Sequence, residues 1–174
     1  RGWRVFATMR NLQKRSALEQ ALRAAYMQDN VDIQELDVTR SESIQAATAS
    51  IMARTGNTLD AVVHNAGVAA AGALEDVPES ELRRVMETNF FGVLGVTRAL
   101  LPTFRAQRRG RIVIVSSEAA FYGQPTNAIY CASKWSIEGW AESTAYEREP
   151  FGIDVVLVEP GPYRTEIWES TPRF

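Results

Sequence analysis

Hydrophobic residues alternate along this chain between short apolar runs and amphipathic stretches. Five β-strands are predicted from the apolar runs, at 3–8, 31–37, 59–65, 111–117 and 153–162. Helical spacing of apolar residues predicts helices between them, at 16–28, 41–53, 78–104 and 127–149. We expect Ser41 to cap the second helix, and the third to break between Asn89 and Gly92.

This regular alternation of strand and helix predicts the fold class. It implies an α/β protein with a parallel sheet and helices on both faces. The apolar runs "VVLV" and "RIVIV" suit strands that are buried on both sides. The chain has 174 residues and shows no linker, low-complexity segment or internal repeat. We therefore predict one domain over residues 1–174.

Composition excludes several classes of function. The net charge of -2 does not favour nucleic acid or an anionic membrane as a partner. With one cysteine and one histidine, the chain can form neither an internal disulfide nor a Cys/His metal site, so we predict no metal. A reducing, cytoplasmic location fits this composition. No apolar run approaches the ~18 residues expected of a membrane span.

The segments after the predicted strands carry the candidate chemistry. In doubly wound sheets, ligands bind beyond the carboxyl ends of the strands. Small, polar and turn-forming residues occupy these ends here, as "TMRN", "DVT", "HNAG", "SSEAA" and "EPGP". They suit a bound small molecule that needs close approach of the backbone.

The stretch "YCASK" sets Tyr130 and Lys134 about one helical turn apart. An ammonium beside a phenol favours the phenolate, so we expect Lys134 to lower the tyrosine pKa from about 10. Such a tyrosine can exchange a proton near neutral pH. Ser117, at the end of the preceding strand, could hold a substrate oxygen beside it. Taken alone, the spacing is also compatible with an exposed pair of helix residues.

Six motifs in this order resemble those of the short-chain dehydrogenase/reductase family, and the resemblance covers nearly the whole chain. They are "DVT" (37–39), "HNAG" (64–67), "TNFFG" (88–92), "IVIVSS" (112–117), "YCASK" (130–134) and "EPGPYRT" (159–165). The branch of hydroxysteroid, retinol and related carbonyl reductases is the most similar. The resemblance implies a three-layer, doubly wound sheet of the Rossmann type.

The resemblance also implies roles for individual residues. Tyr130 would be the general acid/base, Ser117 would polarise the substrate carbonyl or alcohol, and Lys134 would tune Tyr130 and bind the nicotinamide ribose. Asn89 would hold a water of the proton relay. Cofactor contacts would come from Asp37, Val38, Asn65, Ala66, Gly67, Tyr130, Lys134, Pro160, Gly161 and Thr165. Asn65 could instead be structural.

The implied reaction is hydride transfer between a nicotinamide cofactor and a small carbonyl or secondary alcohol substrate. The helices at about 90–107 and 127–149 commonly pack against a second subunit in this family, so a homodimer or homotetramer is expected. Cofactor choice depends on the end of the first visible strand, "ATMRN", which carries no acidic residue. Arg10 could pair with a 2′-phosphate, which favours NADP over NAD. Arg10 as an ordinary solvated residue is the alternative.

The sequence departs from the family pattern at its start. No Gly-rich phosphate-binding turn occurs in the 174 residues. In the family, the strand before that turn lies between the strands corresponding to 3–8 and 59–64, and a further strand follows the last one here. We therefore expect a sheet without its first, central strand and its last strand, and weak or no NADP(H) binding by this chain alone.

Two other readings stay open. A catalytically inactive truncated form, or a binding or assembly module on the same fold, fits the missing turn. Sugar-nucleotide epimerases and dehydratases also use Tyr-x-x-x-Lys, but the spacing from "SSEAA" to "YCASK" and the "EPGP" motif fit them less well. We expect His64 to be a hydrogen-bonded histidine at a loop edge and Cys131 a small packed residue that faces away from Tyr130 and Lys134.

Overall fold

The computed structural model of the chain describes residues 2–163 and 167–174. The chain divides into two compact units, the first ending at Asn57 and the second beginning at Thr58. Each unit has its own sheet, and every strand pair in both sheets is parallel. The predicted strand and helix order is therefore confirmed, and the strands lie in two separate sheets.

The first unit is a two-stranded parallel sheet with two helices. Its elements in chain order are β1 (Val5–Met9), α1 (Ser16–Ala24), β2 (Val31–Glu35) and α2 (Ser41–Thr55). Val5 lies opposite Val31 in the register. The predicted capping role of Ser41 is wrong, because Ser41 is already the first helical residue and no side chain caps α2. The hydroxyl of Ser43 instead accepts a hydrogen bond from the backbone N–H of Asp37.

The second unit is built on a three-stranded sheet in the order β3-β4-β5. These strands are β3 (Ala61–His64), β4 (Gly110–Val115) and β5 (Ile153–Val158). Ile112 and Ile114 on one face of the central strand β4 are fully buried, whereas Val113 and Val115 on its other face are partly buried, so the predicted burial on both sides holds for one face only. The prediction for β5 is wrong, because Val156 and Val158 are exposed. Within the described residues, β3 and β5 are the two edge strands of this sheet.

Helices α3 (Glu79–Met86), α4 (Gly92–Gln107), α5 (Ala128–Arg148) and α6 (Ile167–Ser170) complete the second unit. The predicted break near Asn89 is a five-residue π-helical turn, Glu87–Phe91, which joins α3 to α4 without interrupting the helical path. Apolar residues of α4 and α5 form much of the core, among them Val96, Leu100, Phe104, Ile137 and Ala141. No helix in the described ranges is long and apolar enough to cross a membrane.

Because parallel strands end at the same edge of a sheet, the three segments after β3, β4 and β5 meet at one edge of the second unit. These segments carry the motifs "HNAG", "SSEAA" and "EPGP". The N-terminal turn of α5, which holds Tyr130, lies at the same edge, since Tyr130 packs with Ala69 and Ala119 of two of these segments. The fold thus gathers the predicted motifs of this unit in one place.

Candidate active site

The pair Tyr130 and Lys134 is buried in the second unit, and each side chain is only 6% exposed. The Nζ of Lys134 donates a hydrogen bond of 2.9 Å to the carbonyl oxygen of Val115, the last residue of β4. The same Nζ lies 5.7 Å from the centroid of the Tyr130 ring. The predicted pair is therefore not an exposed pair of helix residues, because α5 turns it inward against the end of the central strand.

Ser117 brings a second hydroxyl to Tyr130. It is the N-cap of a short 3-10 helix, Glu118–Ala120, and its Oγ accepts a hydrogen bond of 3.2 Å from the backbone N–H of Ala119. The Ser117 side chain is also hydrogen-bonded to Tyr130. Two hydroxyl groups thus lie together at the end of β4, where both could meet a single substrate oxygen.

Burial sets the protonation of the pair. It raises the pKa of Tyr130, although the hydrogen bond from Ser117 acts in the opposite direction. The expected lowering by Lys134 is therefore not what the chain shows, and burial outweighs any help from the ammonium. Burial also lowers the pKa of Lys134 to about 8, while Glu138 raises it. At neutral pH Tyr130 is a neutral phenol, which is the form that can donate a proton.

Asn89 ties the segment after β3 to α5. Its Oδ1 accepts a hydrogen bond of 2.8 Å from the backbone N–H of Val68, and its Nδ2 donates to the Val68 carbonyl at 2.9 Å. Nδ2 also donates to the Oγ of Ser133 at 2.9 Å. The hydroxyl of Ser133 in turn donates to the carbonyl of Tyr130 at 2.7 Å. The amide therefore positions both the loop and the helix, and its predicted hold on a water stays a prediction.

Two residues of α5 escaped the sequence reasoning. Ser133, which is completely buried, links Asn89 to Tyr130 as just described. Glu138 lies one turn beyond Lys134 and acts on its pKa. The i,i+4 spacing of Lys134 and Glu138 was the available signal for the second residue. Ser133 gave no signal, since a serine inside a helix has no distinctive pattern.

The "HNAG" segment brings backbone close to the pair. A Cβ placed on Gly67 would lie 3.7 Å from the Oδ1 of Asn89 and 4.0 Å from the Nζ of Lys134. Gly67 therefore keeps open a space that is bounded by an amide and an ammonium. Asn65 and Ala66 are exposed and precede it in the same segment.

The "EPGP" segment reaches the Ser117 turn. The carbonyl of Pro160 accepts a hydrogen bond of 3.1 Å from the backbone N–H of Glu118. A Cβ on Gly161 would lie 3.6 Å from the Oε2 of Glu118. Thr165, which was predicted to contact the cofactor, lies outside the described residues.

The remaining predicted cofactor contacts belong to the first unit. Arg10 follows β1 and is exposed, while Asp37 and Val38 follow β2 and are partly buried. Asp37 accepts hydrogen bonds from the backbone N–H and the hydroxyl of Thr39, at 3.0 and 2.7 Å. Burial acts to raise the pKa of Asp37, but these hydrogen bonds and the charges of Arg10 and Arg40 outweigh it, so the pKa is lowered.

His64 and Cys131 are structural in the second unit. The Nε2 of His64 shares a hydrogen bond of 2.9 Å with the hydroxyl of Thr97, and burial lowers the histidine pKa to about 4. Cys131 is a free, buried thiol, as predicted, and it belongs to the same apolar cluster as Tyr130. The described part of the chain holds no group of three or more potential metal ligands.

Comparisons with known proteins agree with this geometry. The family model described as short chain dehydrogenase matches residues 1–173. The chain is 39% identical over 171 residues to the uncharacterized oxidoreductase YusZ of Bacillus subtilis (strain 168), covering 98% of this chain and 60% of that protein. It is 40% identical over 164 residues to retinol dehydrogenase 8 of Bos taurus, covering 94% of this chain and 51% of the relative.

A solved structure gives the same result for the fold. The structure of a metagenomic short-chain oxidoreductase in complex with NADP matches with a TM-score of 0.83 at 31% identity, covering 93% of this chain and 72% of that one. The chain spans 60% and 51% of the length of the two relatives named above. The Rossmann-type fold and the resemblance to retinol dehydrogenases are thereby confirmed. The chain belongs to the short-chain dehydrogenase family.

Proposed function

We propose that the protein carrying this chain is an NADP(H)-dependent oxidoreductase that interconverts a carbonyl and a secondary alcohol, with Tyr130 as general acid/base. One observation carries the proposal: the buried Tyr130 and Lys134 and the partly buried Ser117 lie together at the carboxyl end of β4. Perturbed ionisable groups gathered at such an edge are typical of a catalytic site. The uncharacterized oxidoreductase and the retinol dehydrogenase named above support the same reaction class.

When bound, the nicotinamide cofactor supplies the hydride to the substrate carbon, or accepts it in the reverse direction. In the direction of reduction, the Ser117 hydroxyl donates a hydrogen bond to the carbonyl oxygen and polarises it. The Tyr130 hydroxyl donates its proton to the same oxygen, so a C–H and an O–H bond form as the C=O double bond becomes single. The raised pKa of Tyr130 keeps the phenol protonated before this step.

Lys134 stabilises the phenolate that Tyr130 leaves behind. Its ammonium is buried, and charges interact more strongly in such surroundings than in water. Ser133 and Asn89 hold the backbone of Tyr130 and the loop at Val68 in fixed relation, so the geometry of the proton transfer does not depend on solvent. We propose that a water held at Asn89 is part of the route by which a proton returns to Tyr130.

The described residues fit a nicotinamide ribose at this end. Gly67 leaves room beside the Lys134 ammonium, which donates well to ribose hydroxyls. We propose further contacts from Asn65, Ala66, Pro160, Gly161 and Thr165. Asp37 and Val38 would contact the adenine. Arg10 would pair with a 2′-phosphate and favour NADP over NAD, in keeping with the NADP complex of the metagenomic relative.

The second candidate function is a non-catalytic binding or assembly module. Such a module would use the same fold without catalysing a reaction. Titration of NADPH and then NADH into the folded chain, followed by cofactor fluorescence, tests whether this chain alone holds a complete nucleotide site. We expect weak binding by this chain alone. Tight stoichiometric binding would show that the nucleotide site is complete without the turn.

The enzymatic proposal is tested with a panel of carbonyl substrates in a form of the protein that binds NADPH. Tyr130→Phe is expected to lower kcat by about 10²- to 10⁴-fold, because it removes the acid/base proton. Tyr146→Phe is the matched control, since Tyr146 lies on the same helix and is 79% exposed. Unchanged turnover in Tyr130→Phe would contradict the role of Tyr130.

A further inference from the structure

Glu138 lies on the same face of α5 as Lys134, because four residues along a helix make about one turn. Its Oε1 is buried and makes no hydrogen bond within the described part of the chain. The Oγ of Ser116, the residue after β4, is buried in the same way and acts on this carboxylate as a neutral polar neighbour. A carboxylate oxygen withdrawn from water in this manner needs a compensating charge.

Lys134 is a buried cation that lacks a charged hydrogen-bond partner among the hydrogen bonds described. Its Nζ is buried and its described hydrogen bond goes to a neutral acceptor, the Val115 carbonyl. Burial lowers the pKa of Lys134, Glu138 is the charged group that raises it, and the balance of the two is a pKa of about 8. Tyr130, the other ionisable group beside the Nζ, is neutral at pH 7. Among the groups that act on this ammonium in the described ranges, Glu138 is therefore the anion.

The groups around Glu138 also connect its ionisation to Lys134. Burial raises the pKa of Glu138, and the carboxylates of Glu159 and Glu142 raise it further, while Ser116 and Lys134 lower it. Lys134 is thus the only cation among the groups acting on Glu138 in the described ranges. The carboxylate lies among other acids, and two groups favour its ionised form, first the Ser116 hydroxyl and then the charge of this lysine.

We infer that Glu138, through its buried Oε1, is the counter-charge that keeps Lys134 in its ammonium form and directed at the Val115 carbonyl. Glu138 touches neither substrate nor cofactor in this arrangement, so it is a positioning residue that acts through Lys134. The inference rests on the proposed function only for its catalytic consequence. The pairing itself is a property of the chain and can be measured without cofactor or turnover.

The chain offers a direct readout because Lys14 and Lys134 are its only lysines. With ¹³C,¹⁵N-labelled lysine, an NMR pH titration gives one signal from Lys134 and one from the exposed Lys14, which is the internal reference. We expect Glu138→Gln to lower the titration midpoint of Lys134 by about one pH unit, since a nearby opposite charge is lost. The Lys14 signal should not change.

Glu142→Gln is the matched control, because Glu142 is exposed one turn further along α5. It should leave the Lys134 midpoint in place. A Lys134 midpoint unchanged by Glu138→Gln, or shifted equally by Glu142→Gln, would overturn the inference. Should Glu138→Gln fail to fold by circular dichroism, Lys134→Met supplies the reciprocal test: the midpoint of the ¹³C-labelled Glu138 carboxyl is expected to rise. No rise there would equally overturn it.

The catalytic consequence is measured separately. In a form of the protein that reduces a carbonyl, Glu138→Gln should move the alkaline limb of the kcat/KM profile to lower pH, because Lys134 loses its proton earlier. Glu138→Asp, which keeps the charge, should restore most of the profile. If Glu138→Gln lowers the Lys134 midpoint but Tyr130→Phe leaves turnover unchanged, the proposed function is contradicted and the pairing stands. If Tyr130→Phe loses activity but Glu138→Gln leaves the Lys134 midpoint unchanged, the proposed function stands and the pairing is contradicted.

Discussion

The two units of this chain differ in how deeply their polar residues are buried. In the second unit, Asn89, Ser133, Tyr130 and Lys134 are all buried, and hydrogen bonds link Asn89 to Ser133 and Ser133 to Tyr130. In the first unit, only Ile44 and Ala47 are buried among the described residues, and Arg10 and Asp37 lie on turns reached by solvent. One unit fixes polar groups by burial, and the other leaves them on its surface.

The difference shows in what shifts the pKa values. Burial is the largest cause for Tyr130, Lys134 and His64, and it sets the direction of each shift. For Asp37, hydrogen bonds from Thr39 and nearby arginine charges overcome burial. Proton transfer needs groups whose protonation is held by a dry, rigid site, whereas recognition of a nucleotide needs accessible hydrogen-bonding groups. Burial therefore distinguishes the candidate catalytic residues from the candidate binding residues.

The largest effect that would test this contrast is on stability. Asn89→Ala should lower the free energy of unfolding by about 4 kcal/mol, because it leaves the Val68 backbone and Ser133 without partners in a buried place. Asp37→Ala in the first unit should cost less than about 1 kcal/mol, since its partners can turn to water. Urea unfolding followed by tryptophan fluorescence measures both. Equal losses would remove the distinction.

A second effect comes from pH. The folded pKa of His64 is about 4, below its ordinary 6.5, so the unfolded chain binds the proton more readily between these values. The resulting stability is fully present above pH 6.5 and is lost as the pH falls towards 4, by about 3 kcal/mol in all. His64→Asn should remove this part of the pH dependence. Parallel unfolding curves for the two proteins between pH 7.5 and 4 would contradict the burial of a neutral His64.

Two glycines give a smaller, matched comparison of the units. Gly56 in the first unit and Gly152 in the second have nearly the same left-handed φ, 63° and 67°. A Cβ on Gly56 would meet nothing within 4 Å, whereas one on Gly152 would lie 2.5 Å from the carbonyl oxygen of Arg108. Gly56→Ala should cost about 1 kcal/mol and Gly152→Ala about 2 kcal/mol more. Similar melting temperatures for both variants would argue against the tighter packing of the second unit.

The order of elements was predictable because each strand and helix has a clear period in the sequence. The misses have local causes. Ser41 has the residue type of a cap, but α2 already includes it and Ser43 makes the hydrogen bond to Asp37. The run "VVLV" is apolar enough for a strand covered on both faces, yet Val156 and Val158 of β5 are exposed. An apolar run predicts a strand without saying what covers it.

The site was predictable as far as motifs mark it. The family resemblance located Ser117, Tyr130 and Lys134, and the structure brings these three together. The direction of the Tyr130 pKa was not predictable, because it depends on how deeply the phenol is buried and not on the spacing to Lys134. Ser133 was missed for the same reason, since its role follows from the packing of the π-helical turn against α5.

The smallest expected effect concerns Arg10, an exposed residue of the first unit. Arg10→Gln should weaken NADPH binding about tenfold, roughly 1.4 kcal/mol, and leave NADH binding unchanged, because only the former carries a 2′-phosphate. Arg40→Gln is the control, since Arg40 is also exposed and also acts on Asp37. Cofactor fluorescence titrations in a form of the protein that binds NADPH give all the constants. Because Arg10 lies on the surface, the variant should unfold like the parent chain, so a change in affinity would report on the phosphate alone. Equal weakening of NADPH and NADH would instead assign Arg10 to the turn itself and leave the choice between the two cofactors to other residues.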